Sequence, residues 1–237
     1  GYNSICSPGT SRNAITVGAV DKNGIAGFSS RGPVRINEEV FIKPDILAPG
    51  IMVCAAASGE NKEFCDRERL HVQLSGTSMA TPFISGMAAL LKQKNPDWNH
   101  FDIKSAFVNS ALKLKEDRDP IRESGGIVDL SKSLNTRLVF YPSSLNYNGE
   151  DEISLTIKNL GEPRIIILSS DGIVSGNLQC GTVSFEPSSI MIGTNEERKI
   201  SIRLNFDEMV GGEYYWYINV DDGEIDYQIP ASFFRIN

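Results

Sequence analysis

Ser78 occupies a setting that can turn a hydroxyl into a nucleophile. It lies in Leu74-Ser-Gly-Thr-Ser-Met-Ala-Thr-Pro82, between a strand-like run, Leu70 to Leu74, and an apolar helix predicted from Ala80 to about Lys94. A serine at a helix mouth keeps its own backbone N–H and those of the next turn free, within the positive end of the helix dipole. Such a site can stabilise an oxyanion beside the attacking oxygen. Gly76 lets the chain turn sharply, and Pro82 fits the first turn, where N–H groups need no helical partner. The plainer reading is a Ser/Thr cap on a buried helix.

The nine-residue string resembles the nucleophile motif of the subtilisin-like serine proteases (subtilases), and other segments share the likeness in order. Ser7-Pro-Gly-Thr-Ser-Arg-Asn-Ala-Ile-Thr-Val-Gly-Ala-Val20 is similar to the strand ending in the family's "VGAV". Phe28-Ser-Ser-Arg-Gly-Pro33 and Lys43-Pro-Asp-Ile-Leu-Ala-Pro-Gly50 resemble two further motifs, and Gly125-Gly-Ile-Val-Asp129 the end of the catalytic domain. The likeness covers roughly residues 7–134. Phe83 stands where the family usually has a histidine; that histidine is outside the catalytic triad, so the nucleophile assignment stands.

The resemblance implies that Ser78 attacks a peptide carbonyl to form an acyl-enzyme and that its N–H helps hold the oxyanion. It also implies a triad Asp and His and an oxyanion Asn in motifs preceding this segment, none of which this sequence contains. The expectation is that the substrate is protein or peptide, that the missing N-terminal half of the catalytic domain is a partner, and that the chain alone is nearly inert, since a serine without a base is a poor nucleophile. By the same resemblance Gly1 and Tyr2 fall near the wall of the primary specificity pocket. Neither histidine present reads as the base: His71 is a strand-edge side chain seven residues before Ser78, and His100 a surface residue at a helix start.

Cys6, Cys54, Cys65 and Cys180 include no CxxC pair, which argues against zinc. Cys54 and Cys65 bracket a polar loop and could form a disulfide; four free thiols are the alternative. With 41% hydrophobic and 22% charged residues the chain can bury a core. No run reaches the ~20 apolar residues of a membrane span. Composition and resemblance together fit an extracellular protein, secreted or held at the cell envelope. Through Arg137 there are 17 basic and 15 acidic residues, net +2; from Leu138 on there are 6 and 15, net −9. Neither half has the basic footprint of a nucleic-acid binder. Asp221-Asp222-Gly-Glu224-Ile-Asp226 could hold a structural calcium, although it lacks the calcium-loop pattern and hairpin turns are commonly this acidic.

Other elements must hold Ser78 in place. Ala14–Val20 and Gly50–Ala56 read as buried strands. Asn99 or Asp97 caps a helix in which Ile103, Ala106, Phe107, Ser110, Ala111 and Leu114 recur at helical spacing. The fold class is therefore α/β: a partial subtilisin-like parallel sheet with a buried nucleophile helix, spanning residues 1–136. With half of that domain absent, core surface should be exposed. The charge step coincides with a change to all-strand pattern, so residues 137–237 read as an all-β sandwich. The strands are expected at Arg137–Tyr141, Ile153–Asn159, Arg164–Ser169, Thr182–Phe185, Lys199–Asn205, Tyr214–Asp221 and Ile225–Pro230, with turns at Asn148-Gly149, Gly161, Asp171-Gly172, Gly211-Gly212 and Asp222-Gly223. Leu155-Thr-Ile-Lys-Asn-Leu-Gly161 and Phe185-Glu-Pro-Ser-Ser189 resemble the fibronectin-III-like domains appended to many subtilases. A different functional class is a non-catalytic binding or structural module whose sandwich contacts protein or carbohydrate through Tyr214-Tyr-Trp-Tyr217; core packing of those aromatics is the competing reading.

Overall fold

The run Val17-Gly-Ala-Val20 is apolar throughout, as a strand covered on both faces must be. In the computed structural model it forms β1 (Val17–Asp21). The structure describes residues 3–235 apart from residues 38, 59–63, 67–69, 115–119, 148–151, 177 and 207–211, and backbone alone for residues 121, 122 and 235. After β1 come β2 (Gly24–Ile25), β3 (Val34–Ile36), β4 (Glu39–Phe41), β5 (Ile46–Pro49), β6 (Val53–Ala56), β7 (His71–Leu74), α1 (Thr77–Lys94), α2 (His100–Asn109), α3 (Pro120–Glu123) and α4 (Leu130–Leu134).

β1 runs parallel to β5, from Val17 opposite Ile46 to Val20 opposite Pro49, with β2 on its other edge. The Gly125-Gly126 segment continues this surface, because Leu47 N–H donates to Gly126 O and Val128 N–H donates to Leu47 O, both at 2.9 Å. A Cβ on Gly126 would sit 2.3 Å from Leu112 O, and its φ is +111°, so only glycine fits this approach. Of the expected buried strand Gly50–Ala56 only β6 (Val53–Ala56) forms, and it is largely exposed; a corner in which Met52 has φ 53° separates it from the buried β5. Val17, Ala19, Ile46 and Ala48 pack on Ala80, Ile84 and Leu91 of α1 and on Ala106 and Phe107 of α2.

Asn99 caps α2: its Oδ1 accepts from Phe101 N–H (2.8 Å) and Asp102 N–H (3.2 Å), while Asp102 Oδ2 accepts from Asn99 N–H (2.8 Å). Such a capping box contributes about 1 kcal/mol. The helix stops at Asn109, so Ala111 and Leu114, expected within it, lie beyond its end. It is buried on nearly all sides, unlike a surface helix, because strands of the C-terminal portion cover the face turned away from β1 and β5.

Those strands are β8 (Leu138–Tyr141), β9 (Leu145–Tyr147), β10 (Glu152–Asn159), β11 (Arg164–Ser170), β12 (Ile173–Ser175), β13 (Leu178–Glu186), β14 (Ser189–Ile192), β15 (Glu197–Phe206), β16 (Gly212–Asp221) and β17 (Asp226–Arg235). They form one ten-stranded hydrogen-bonded network. One part runs β8-β10-β15-β13, the other β14-β11-β16-β17 with β9 parallel to β17, and β12 joins β13 to β16. Leu155, Ile157, Ile200 and Ile202 of the first part meet Ile166, Leu168, Trp216 and Ile218 of the second in a single core. All seven expected strands are present. β9, β12 and β14 were not expected, because three or four residues are too short for alternation to register. Gly172 (φ 90°) and Gly223 (φ 84°) make the anticipated turns; Asn148, Gly149 and Gly211 lie outside the described residues. Tyr214 and Trp216 point into the core, and buried Tyr217 donates from its hydroxyl to Ser124 O at 2.9 Å, so this run is packing rather than an open platform.

The seam between the two portions is polar where α2 meets β8 and β17, and the side chains there are matched. Ser105 Oγ accepts from Phe140 N–H (2.7 Å) and donates to Asn109 Oδ1 (2.9 Å), and Asn109 Nδ2 donates to Ser143 O and Gln228 O, each at 2.8 Å. Replacing Asn109 by Leu should cost about 2–3 kcal/mol in urea unfolding, since two buried carbonyls and a hydroxyl lose partners. Unchanged stability would show that this seam does not hold the portions together.

Candidate active site

The turn before Ser78 is fastened from both sides. β6 and β7 form a hairpin, Val53 opposite Leu74 and Ala56 opposite His71, and the Cys54–Cys65 disulfide bridges its base to the following loop. Cys6 and Cys180 are free. Ser75 Oγ accepts from Met52 N–H at 2.9 Å, Gly76 N–H donates to Gly50 O at 2.8 Å, and Gly50 N–H donates to Val20 O at 3.1 Å. The turn is thus bonded to the end of β1. A Cβ on Gly50 would lie 2.7 Å from Ala19 Cβ and 2.9 Å from Gly76 O, so only glycine allows this approach.

From that anchor α1 starts at Thr77, with Gly76 as its N-cap and no side-chain cap. Met79 and Ala80 N–H turn back to Gly76 O, at 3.0 and 3.3 Å. Among the described residues, neither the Thr77 nor the Ser78 N–H has an acceptor, and no carboxylate stands in the first turn to offset the dipole. Ser78, exposed, therefore sits beside two free donors at the positive end of the helix. An oxygen acquiring negative charge near its Oγ would be stabilised there.

Two expectations about this helix need correction. Because it begins three residues earlier than read from sequence, Pro82 is its sixth residue rather than part of its first turn. The ring has no N–H to offer the Ser78 carbonyl four residues back, so the missing bond falls on the serine itself. The helix is also not buried all round. Ala80, Ile84 and Leu91 are buried against β1, β5 and α2, whereas Phe83 and Leu90 are 39% and 45% exposed. Its residues are apolar on every side, yet the described chain covers only one side; the exposed apolar face is the surface anticipated above.

The structure does not bring either histidine to Ser78. His71 lies at the end of β7 remote from the turn, about 10 Å of strand before Leu74. Its Nδ1 is 2.6 Å from Asp66 Oδ2, and this bond holds the exposed Asp66 carboxyl below its ordinary range. The pair gave no sequence signal, because it depends on how the loop returns to the strand. His100 opens α2 and stacks on Phe101, with ring centroids 3.9 Å apart. Among the described residues no side chain hydrogen-bonds to the Ser78 hydroxyl. Gly1 and Tyr2 lie outside the described residues.

Sequence reasoning also missed a buried charge cluster. Asp45 of the Lys43-Pro-Asp motif receives Lys43 Nζ at 2.6 Å and Lys104 Nζ of α2 at 2.7 Å, and its Oδ2 also accepts from Thr16 N–H at 2.7 Å. Burial, reinforced by the second lysine and opposed by Asp45, lowers the Lys43 pKa to about 8. No local pattern joins Lys104 to a motif some sixty residues earlier. In the acidic turn, Asp222 is buried and bound to Arg164 (2.7 Å), with its other oxygen accepting from Glu224 and Ile225 N–H. Its oxygens are already committed, and among the described residues no cluster of three or more metal-ligating side chains occurs.

With this geometry the comparisons with known proteins agree. The chain matches the sequence model of the subtilase family (peptidase S8) over residues 2–149, and it belongs to that family. It is 36% identical over 182 residues to the Subtilisin-like protease SBT3.7 of Arabidopsis thaliana, covering 65% of this chain and 23% of that protein. It is 40% identical over 145 residues to the Serine protease AprX of Bacillus subtilis (strain 168), covering 55% and 31%. The chain thus spans about a quarter to a third of these relatives. Among solved structures, MycP1 with its N-terminal propeptide removed is 27% identical, covering 55% of this chain and 39% of that one, with a TM-score of 0.42. Among the described residues no helix is long and apolar enough to cross a membrane.

Lys43 gives the buried cluster a pH signature. Its folded pKa, about 8, lies below its ordinary value, so the unfolded state binds this proton more tightly and stability rises with pH between about 8 and 10.5. Chemical denaturation should show wild type gaining stability relative to Lys43→Met across that window. Parallel profiles for the two proteins would refute this origin.

Proposed function

We propose that this chain is the nucleophile-bearing portion of an extracellular serine endopeptidase. Family membership supports a serine-protease function, and the observation that carries the assignment to Ser78 is its place at an uncapped helix start with two unengaged N–H donors. In this reading Ser78 Oγ attacks the scissile carbonyl carbon and its proton passes to a base. The oxyanion is held by the Ser78 N–H; as the C–N bond breaks, the amine leaves with that proton and an acyl-enzyme remains for water to hydrolyse.

Base, orienting carboxylate and the remaining oxyanion donor come from a preceding half of the catalytic domain that would also cover Phe83 and Leu90 of α1. Residues 1–136 are the catalytic portion and 137–237 a fibronectin-III-like sandwich that α2 fastens to it. Substrates are proteins or peptides. A role for the sandwich as a separate binding module has less support, since Tyr214, Trp216 and Tyr217 are buried.

A fluorophosphonate probe should label Ser78 in the full-length protein, lose it in Ser78→Ala, and leave the 237-residue chain essentially unlabelled. A full-length protein that resists the probe would sink the proposal. The isolated chain should also bind a hydrophobic dye through the bare face of α1, and substitution of both Phe83 and Leu90 by Ser should weaken that binding severalfold. Dye binding unaffected by the pair would place the apolar surface elsewhere.

A further inference from the structure

Away from Ser78, a cavity of about 540 Å³ opens where the two portions meet. Its size falls in the range of small-molecule sites, which favour domain junctions. Phe41 of β4, Ile42 just after it, Phe101 of α2 and Phe140 of β8 supply its apolar walls. Phe41, Ile42 and Phe140 are buried, and Phe101 stands half-exposed at the opening. The loop between β8 and β9 contributes Ser143, Ser144 and Asn146. Among the described residues the two serine hydroxyls and Asn146 Nδ2 make no hydrogen bond, while Asn146 Oδ1 is occupied by Ile42 N–H and Ser232 Oγ. That amide is therefore fixed by its oxygen with its donor end uncommitted.

The charge lining this cavity is unbalanced. Lys43 and Lys104 share the single carboxylate of Asp45. Arg12 at the rim stacks on Phe41 and pairs with Glu39, which cancels it. Asp102 is outside the lining and is held by the Tyr141 hydroxyl and Asn99 N–H. One positive charge thus remains. The ammonium protons are fully used: Lys43 donates to Ala14 O, Thr16 Oγ1 and Asp45, and Lys104 to Arg12 O, Ala14 O and Asp45. The lysines supply a field, and direct hydrogen bonds must come from the uncommitted hydroxyls and amide.

We propose that this cavity binds a small amphipathic carboxylate, its aromatic or aliphatic body among Phe41, Phe101 and Phe140 and its carboxylate accepting from Ser144 and Asn146 within the field of the Lys43–Asp45–Lys104 cluster. An apolar cavity alone would take a neutral ligand equally well; the uncompensated cation and the idle donors select an anion. Because the walls come from both portions, the ligand would also bridge the seam made by Ser105 and Asn109. The same chemistry is offered by a free organic acid and by the C-terminus of a peptide ending in an apolar residue.

Calorimetric titration of the whole chain with phenylbutyrate, phenylbutanol and phenylbutylamine separates charge from shape. Phenylbutyrate should bind one-to-one at about pH 7, roughly tenfold tighter than the alcohol, with the amine weaker still. Raising the pH to about 9.5 should shrink that preference as Lys43 loses its proton. Ser144→Trp, which fills the opening without touching the buried cluster, should abolish binding while leaving the melting temperature within a few degrees. Acetyl-alanyl-phenylalanine with a free or an amidated carboxyl distinguishes the source: a free-acid peptide tighter than phenylbutyrate marks a peptide terminus, and a weaker one marks a small acid. Equal affinity for acid and alcohol, no binding of any acid, or binding unchanged in Ser144→Trp would overturn the proposal.

Discussion

The close contact between Gly50 and Gly76 is the constraint on which the rest of the site depends. It joins the end of the parallel strand pair to the turn before α1 through one hydrogen bond of 2.8 Å, and it leaves no room for a Cβ at Gly50. The turn can then reverse direction within two residues and start a helix without a capping side chain. An uncapped start would normally weaken a helix. Here it leaves Thr77 and Ser78 N–H unengaged, and the strand contact does the positioning that a cap would otherwise do. The unused donors and the serine hydroxyl are then products of one arrangement.

The second organising feature is α2, which has no exposed apolar stripe to hide and is instead enclosed. Its inward residues, Ala106 and Phe107, close the core beneath α1. Ser105 and Asn109 satisfy backbone groups of β8, the β8–β9 loop and β17, and Lys104 reaches Asp45 beside β5. A helix with such polar residues on several sides could not be stable alone. Its buried groups are each matched by a partner from elsewhere, which makes the two portions cooperate and leaves the apolar cavity between them.

Much of this was legible in the sequence because it is written locally. A cap at Asn99 or Asp97 before helical spacing spells a helix start, alternation in Ile153–Ile157 and Ile200–Leu204 spells strands, and the Ser78 string spells a strand, a turn and a helix start. What was not legible depends on long-range approach. Pro82 was misplaced because only the Gly50–Gly76 contact fixes where α1 begins. The helix was read as wholly buried because composition reports what a surface can pack against, not what is present to cover it. Lys104 with Asp45, and His71 with Asp66, are pairs whose members no periodicity connects.

The central claim is that the Gly50–Gly76 approach positions Ser78 and its free N–H groups. The rate at which a fluorophosphonate labels Ser78 in the full-length protein, compared between wild type and Gly50→Ala at matched circular dichroism, tests it most directly. A methyl group only 2.7 Å from Ala19 Cβ must displace the turn, so labelling should slow at least about tenfold, the effect expected of a small misplacement. Labelling at the wild-type rate would mean that the serine is positioned by something other than this contact.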